Sequence, residues 1–325
     1  MNRFIQMKGS TDALNIFRFH PGIRRVHQCR LSRRQMNDSV GNNRNKNQQN
    51  DSLPNIFNNK IDHSCLYSLR EVIISVMDIL QLSNYMDKLL DISSISDAPN
   101  AQNGLQVQNT GEIKKIGLAV DLCQATIDLA IEKGCQMLFV HHGIFWSGLQ
   151  PLRGPFYEKI SAMMRANLGL YSAHIPLDLH PVLGNNRALA NLIGLKSIEP
   201  FGEYGGIKIG FKGTINKISA ETLAQELTEK LGSPVKVIGE GEIESIGLVS
   251  GGAADIVRQA SSEGLCAYIT GEGANHHYHE AIEGGCILFL AGHYATETGG
   301  VKAVGRHLEQ KFQIATEFLD YPTGL

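Results

Sequence analysis

The chain has little that would staple it or anchor it. Its six cysteines (Cys29, Cys65, Cys123, Cys135, Cys266 and Cys286) are scattered and form no CxxC pair, which removes the usual cysteine-clamped metal and redox motifs. Cys123, Cys135, Cys266 and Cys286 lie in apolar or helical context and read as reduced core thiols, as a reducing compartment would leave them. No apolar run reaches the roughly 18 residues of a membrane span. The best stretch, Val72 to Leu80, is short and is preceded by Arg70 and Glu71. No Walker or Rossmann glycine pattern is present, so neither kind of nucleotide cradle is supported. The expectation is a cytoplasmic globular protein with no membrane partner.

Positive charge is also scarce over most of the length. The net charge of -2 hides a split: residues 1–60 carry eleven Lys/Arg against three Asp/Glu, and the remainder carries nineteen against twenty-nine. An acidic body does not suit phosphate-backbone binding, so nucleic acid is not the expected partner. It suits cations, or small substrates held through metals. Residues 1–65 stand apart, with an Asn-, Arg- and Gln-rich tract (NDSVGNNRNKNQQND) whose composition predicts disorder. An organelle leader, a lineage-specific tail and translated upstream sequence are three readings of it. The Asn tract and the want of an amphipathic helix weigh against the leader, which would make the protein mitochondrial. Met77 begins a more natural helix, MDILQLSNYMDKLL.

From residue 111 strand and helix patterns alternate. Strands are predicted over 116–120, 136–140, 168–173, 207–213 and 235–238, with helices over 124–133, 157–167, 185–193 and 219–231. This is α/β order with a largely parallel sheet. The second part repeats the first: IGLAVDLCQATIDLAIEKGCQMLFVHHG, from Ile116, aligns with IGLVSGGAADIVRQASSEGLCAYITGEG, from Ile246, at a constant offset. The next strands match too, with His174-x-x-x-Asp178 after one and His293-x-x-x-Glu297 after the other. The reading is two related α/β halves, 66–200 and 201–325, with mostly parallel or mixed sheets facing each other across a site.

The residues at the predicted strand ends carry the chemistry. His141 and His142 follow a short buried strand, at the carboxyl end where open α/β sheets place their sites. Adjacent imidazoles on extended backbone point to opposite sides, so the pair is expected to serve two neighbouring ions, one each. Asp178, His293 and Glu297 complete a set of three imidazoles and two carboxylates, which suits Zn²⁺, Fe²⁺ or Mn²⁺. Five ligands exceed the needs of one four-coordinate ion. Two ions bridged by a carboxylate, Asp178 for preference, use all five and leave room for a water that loses its proton near neutral pH. His174 and His279 are then the expected proton carriers. His276 and His277 are read as heading a helix from which only His279 faces the site. The glycines at 251–252 and 299–300 fit backbone lying close to a ligand.

Several motifs together carry a resemblance: NGLQV (103–107), HHGIFW (141–146), HIPLD (174–178), GNN (184–186), ITGE (269–272) and GHYATETGG (292–300). From about residue 77 to 325 the chain resembles the NIF-three-like dinuclear metal-centre family, whose members are also known as GTP cyclohydrolase I type 2 homologues. The resemblance implies two metal ions on His141, His142, Asp178, His293 and Glu297. It further implies two similar α/β halves, a homohexamer with its sites facing an internal cavity, and a hydrolase acting on a nucleotide-like substrate by imidazole ring opening. A non-catalytic metal-stabilised scaffold that binds a protein partner is the alternative. The stretch from 195 to 245 is too short for an inserted domain, and residues 1–65 match nothing in the family.

Overall fold

The computed structural model describes residues 77–325. The segment read as disordered, together with Cys29 and Cys65, lies outside the described residues. The chain runs α1 (Ile79–Leu89), β1 (Gly104–Val107), β2 (Lys115–Asp121), α2 (Gln124–Glu132), β3 (Met137–His142), α3 (Gly154–Arg165), β4 (Gly169–Ser172), α4 (Ile175–Leu179) and α5 (Asn185–Leu192). It continues through β5 (Lys196–Tyr204), β6 (Ile207–Ser219), α6 (Ala220–Leu231), β7 (Lys236–Ile238) and β8 (Glu242–Leu248). The last elements are α7 (Val257–Ser262), β9 (Ala267–Thr270), α8 (His276–Gly284), β10 (Ile287–Leu290), α9 (His293–Phe312) and β11 (Ala315–Phe318). Among the described residues no helix is long and apolar enough to cross a membrane.

The strands form two sheets, ordered β1-β4-β3-β2-β11 and β5-β6-β8-β9-β10-β7. The repeat seen in the sequence is a structural one. β2 pairs with β3 in parallel with Ile116 opposite Met137, and β8 pairs with β9 in parallel with Ile246 opposite Ala267. β4 and β10 extend these pairs in parallel, and each is closed by an antiparallel edge strand, β1 in one sheet and β7 in the other. The sheets diverge on the far side, where β2 takes β11 in parallel while β8 takes the long β5–β6 hairpin antiparallel. The first sheet is therefore largely parallel and the second mixed.

Both faces of each sheet are covered, and side-chain alternation decides which residue faces which layer. In β3, Met137 and Phe139 join Leu82 and Met86 of α1 and Val304 of α9, while Leu138 and Val140 join Ile127 of α2 and Met163 of α3. In the second sheet, Ile269 and Phe289 pack with Leu223 and Leu227 of α6, and Tyr268 and Leu288 with Val257 of α7 and Ala281 of α8. α1 starts on a capping box: Asp78 accepts from the Gln81 N–H at 2.8 Å, and Gln81 accepts from the Asp78 N–H at 3.2 Å.

Sheet membership does not change over at residue 200. α9 leaves the second sheet after β10, runs twenty residues and packs on the first. A helix of that length spans about 30 Å, enough to carry the chain across to where β11 pairs with β2. β11 escapes a sequence reading because it is four residues long and half-exposed at a sheet edge. The HIPLD motif contains the short helix α4.

Asn186 of α5 is fully buried and joins elements far apart in sequence. Its amide donates to the Ile209 carbonyl of β6 at 2.7 Å and accepts from the Ser250 N–H after β8 at 2.7 Å. Replacing it with alanine leaves both backbone groups buried without partners, at about 1–3 kcal/mol each. Asn186→Ala is expected to lower the denaturant midpoint by at least the equivalent of about 2 kcal/mol without changing the slope, measured by chemical unfolding of the full chain.

Candidate metal centre

The carboxyl ends of β3, β4, β8, β9 and β10 converge, and the residues that follow each strand meet there. His141 and His142 end β3, His174 follows β4, Ser250 and Gly251 follow β8, Glu272 follows β9 and His293 follows β10. Four of these residues are histidines, and each turns its Nδ1 to a fixed oxygen. His141 Nδ1 meets the Ala173 carbonyl at 2.8 Å and His142 Nδ1 the Asp121 carboxylate at 2.8 Å. His174 Nδ1 meets Asp97 at 2.9 Å and His293 Nδ1 meets Glu272 at 2.9 Å. An acceptor at Nδ1 fixes the tautomer and leaves the Nε2 lone pair free, which is how imidazoles are held when they bind metals.

The free ends come together. The ligand atoms of His141, His142 and His174 lie within 4.8 Å of one another, as do those of His142, His293 and Glu297. His142 belongs to both groups. Asp178 Oδ2 lies 3.6 Å from His141 Nε2, Glu297 Oε1 lies 3.5 Å from the same nitrogen and 3.3 Å from His293 Nε2, and Glu297 Oε2 lies 3.7 Å from His142 Nε2. Most of these spacings exceed a hydrogen bond. They resemble the edge of a tetrahedron with metal–ligand bonds near 2.0–2.1 Å, about 3.3 Å. His141 Nε2 and Glu297 Oε2 are buried, and neither has a hydrogen-bond partner. Buried polar atoms are seldom left so. A divalent cation is the group that satisfies both a bare imidazole nitrogen and a bare carboxylate oxygen, so these residues fit one.

Charge and burial oppose each other here. Burial alone would strip the proton from His141, but Asp178 and Glu297 outweigh it and push its pKa up to about 10. Burial is likewise outweighed at His293, raised to about 9 by Glu297 and Glu272. Glu297 is held well below the ordinary carboxylate range: its burial opposes ionisation, and the neighbouring imidazoles of His141 and His293 overcome that.

Further residues fix the ligand positions. Asp178 Oδ1 accepts from Asn185 Nδ2 at 2.9 Å and from Ser250 Oγ at 3.2 Å, which leaves Oδ2 to face His141. Asn185 Oδ1 in turn accepts the Gly300 N–H of α9 at 2.7 Å, and this accounts for the GNN motif. Gly251 sits in the left-handed region at φ 69°, and a Cβ built on it would lie 2.3 Å from Glu297 Oε1. Only a residue without a side chain allows the backbone so close to the ligands.

The five residues expected as ligands, His141, His142, Asp178, His293 and Glu297, are brought together. His141 Nδ1 meets a carbonyl just after β4, and His142 Nδ1 a carboxylate of β2. Their rings nevertheless lie 4.7 Å apart, because both reach past the end of the sheet and lean along the strand. His174 stands with the ligand group rather than behind it. The repeat carried that signal: His174 precedes Asp178 by the same step as His293 precedes Glu297. Asp97, Asp121 and Glu272 had no such signal, since nothing local marks a carboxylate that will meet a distant imidazole.

His279, expected to carry a proton, is exposed on α8, edge-on to Tyr278, and is absent from the cavity wall. The reason is helical phase. His277 and Ala281, four residues apart, are the buried face of α8, and His279 lies between them on the opposite side. His276 and His277 form a third group with Asp255 and Glu280. There His277 Nδ1 accepts the Ala274 N–H at 2.8 Å, so its Nε2 carries the proton and donates to Asp255 at 3.1 Å. Arg258 pairs with both carboxylates at 3.0 and 3.1 Å. That group is an ion-pair network with no free imidazole lone pair on His277.

Residues 77–323 match the family model Duf34/NIF3 (NGG1p interacting factor 3). The chain belongs to this family. A GTP cyclohydrolase 1 type 2 homolog of Halobacterium salinarum is 40% identical over 256 residues, covering 77% of this chain and all of the relative. A protein of the same name from Pyrococcus abyssi is 41% identical over 75% of this chain and 98% of its own. Among solved structures, the ybgI protein of unknown function superposes with a TM-score of 0.72 at 31% identity, over 77% of this chain and 100% of that one. The Thermus thermophilus protein TTHA1606 does so with a TM-score of 0.71 at 33% identity and the same coverage. The family fold is thus the mixed α/β fold described above.

Two outcomes follow. Gly251→Ala is expected to retain the fold while displacing Glu297, with metal content per chain falling to less than about half of wild type on purified protein. In the ion-free protein His141 and His293 hold protons above neutrality, and a bound ion must displace them. Zinc affinity of the chelated protein is therefore expected to rise steadily from about pH 6 to about pH 8, with proton release on binding. Calorimetry in buffers of differing ionisation enthalpy reads both quantities.

Proposed function

We propose that this chain is a dinuclear-metal-dependent hydrolase acting on a nucleotide-like substrate, in the manner of its relatives named GTP cyclohydrolase 1 type 2 homolog. The observation that carries this reading is the convergence of four Nδ1-anchored imidazoles and two carboxylates around unsatisfied polar atoms. His141, His142, His174, Asp178, His293 and Glu297 hold two divalent ions, Zn²⁺, Fe²⁺ or Mn²⁺. Such ions supply charge that acidifies water toward neutral pH and polarises an electrophilic carbon.

The protein's own residues do the remaining work. Glu297 faces His141 and His293 through one oxygen and His142 through the other. This makes it better placed to span the two groups than Asp178, the residue the sequence suggested. Asp178 keeps a single free oxygen because Asn185 and Ser250 hold the other. Asp121, Asp97 and Glu272 accept from Nδ1 of His142, His174 and His293 and so orient each ring with its Nε2 toward the ions. A cavity of about 580 Å³ adjoins the half-exposed His142, His174 and His293. That is a volume suited to a ligand of nucleoside or nucleotide size. The homohexamer implied by the resemblance is part of the same reading. The family's name, NGG1p interacting factor 3, supports the second reading, a metal-stabilised scaffold for a protein partner.

Protein purified without chelator is expected to hold about two transition-metal equivalents per chain, as a two-metal site requires, and His141→Ala to lose most of them by elemental analysis. Metal-loaded wild type should open or hydrolyse at least one member of a purine nucleotide and nucleoside panel, and Asp121→Asn should weaken metal binding by about 10–100-fold. Full metal occupancy with every panel member unchanged after hours would leave the scaffold reading in place.

A further inference from the structure

The stretch that follows β11 is tied to the rest of the molecule through one side chain. Leu319 is buried, and its N–H donates to the Leu118 carbonyl at 2.8 Å. Beyond it, residues 320–325 form neither helix nor strand, and each of them is exposed. Two hydrogen bonds hold this segment, and both end on the same hydroxyl. Tyr294 Oη donates to Asp320 Oδ1 at 2.8 Å and accepts the Tyr321 N–H at 2.9 Å. Among the described residues the segment's one further hydrogen bond is internal, from the Leu325 N–H to Thr323 Oγ1 at 3.3 Å.

Thr323 and Leu325 nevertheless line the metal cavity, together with His293 and Tyr294. The segment leaves the first sheet at β11 and arrives at the cap of α9, where a Cβ built on Gly292 would lie 3.5 Å from the Leu325 backbone oxygen. Part of the cavity wall beside a candidate ligand is therefore exposed chain with few bonds. Such segments open at low free-energy cost, and segments of this kind serve as lids over active sites. Pro322 restricts the middle of the stretch, which favours movement as one piece about the buried Leu319. Tyr294 is its opposite. It is 7% exposed, and its ring belongs to the core that α9 shares with the first sheet. A fixed hydroxyl that a loosely held segment can grasp or release is a latch.

We infer that residues 320–325 form a movable wall of the metal cavity, latched by the Tyr294 hydroxyl, and that its release admits ligands to the His293 side. Tyr294 is a positioning residue, acting through the segment it holds. The inference rests on the hydrolase reading only in calling the cavity's occupant a substrate, since the latch itself needs no ion. Opening widens the entrance while the metal ligands, each fixed by its own Nδ1 or carboxylate partner, keep their places.

Two measurements on the full chain test this. Asp320→Ala leaves the acceptor of the Tyr321 N–H in place, so that amide exchanges faster only if the segment opens as a unit. Millisecond hydrogen exchange should show it about fivefold faster than in wild type, the factor expected from losing one hydrogen bond. Tyr294→Phe keeps the ring in the core and removes the hydroxyl. EDTA should strip the zinc-loaded variant about tenfold faster than wild type, as the loss of both bonds implies. Asp320→Asn, which retains an acceptor, should stay within about twofold of wild type in the same assay. Equilibrium zinc affinity should stay within about twofold of wild type in all three variants, because the ligands are untouched. Unchanged exchange of the Tyr321 amide in Asp320→Ala would overturn the inference, as would zinc loss from Tyr294→Phe at the wild-type rate. So would faster loss matched by an equal fall in affinity, the mark of a disturbed ligand. If the chain takes up no zinc, the hydrolase reading falls and the exchange data alone decide the latch. Faster stripping without turnover of any nucleotide or nucleoside keeps the movable wall and removes the hydrolase reading. Turnover with unchanged exchange and stripping does the reverse.

Discussion

A buried carboxylate sets the terms for the rest of this molecule. Glu297 is 3% exposed, and an isolated ionised carboxylate in such a place is very costly. Its compensation comes from His141 and His142 at the end of a strand in the first sheet and from His293 on its own helix. Neither half can supply this alone. The requirement to surround Glu297 forces the strand ends of both sheets to one point. The buried Asn185 and Asn186 then lock that meeting, joining Asp178, Ser250, Ile209 and Gly300 through hydrogen bonds between segments far apart in sequence.

The internal repeat explains how such a site arises from ordinary parts. The parallel core of each sheet places a loop from its carboxyl end at the junction, with the same strand pairing in both. His174 with Asp178 and His293 with Glu297 occupy equivalent places. The copies differ where they must. The short helix after His174 ends after five residues, whereas the helix that begins at His293 continues for twenty and becomes the strut between sheets.

Much of this was legible from the residues, and the parts that were not share a cause. Buried strands such as Gln136–Val140, the repeat and the five residues expected as ligands are local patterns: apolar runs, fixed offsets, an imidazole and a carboxylate at matched spacing. Three things were not local. The roles of Asp97, Asp121 and Glu272 depend on which imidazole each meets after folding. The exposure of His279 depends on which face of α8 finds a partner, and the sequence just before it offers two other histidines to choose from. The placement of β11 in the first sheet depends on the reach of α9 and leaves no mark in four half-exposed residues.

That last strand has a consequence for the order of events during synthesis. β2 is an interior strand of its sheet only because β11 lies on its outer side, and Ile116 and Leu118 share a core with Val301, Val304 and Leu308 of α9. A nascent chain that has emerged only as far as β10 has every strand of the second sheet. Its first sheet, however, has an open edge and a face covered only by α1, and Glu297 has not yet arrived. The earliest histidines of the centre must wait for α9. A ribosome-bound fragment that stops short of α9 therefore presents imidazoles without the carboxylate that closes the site.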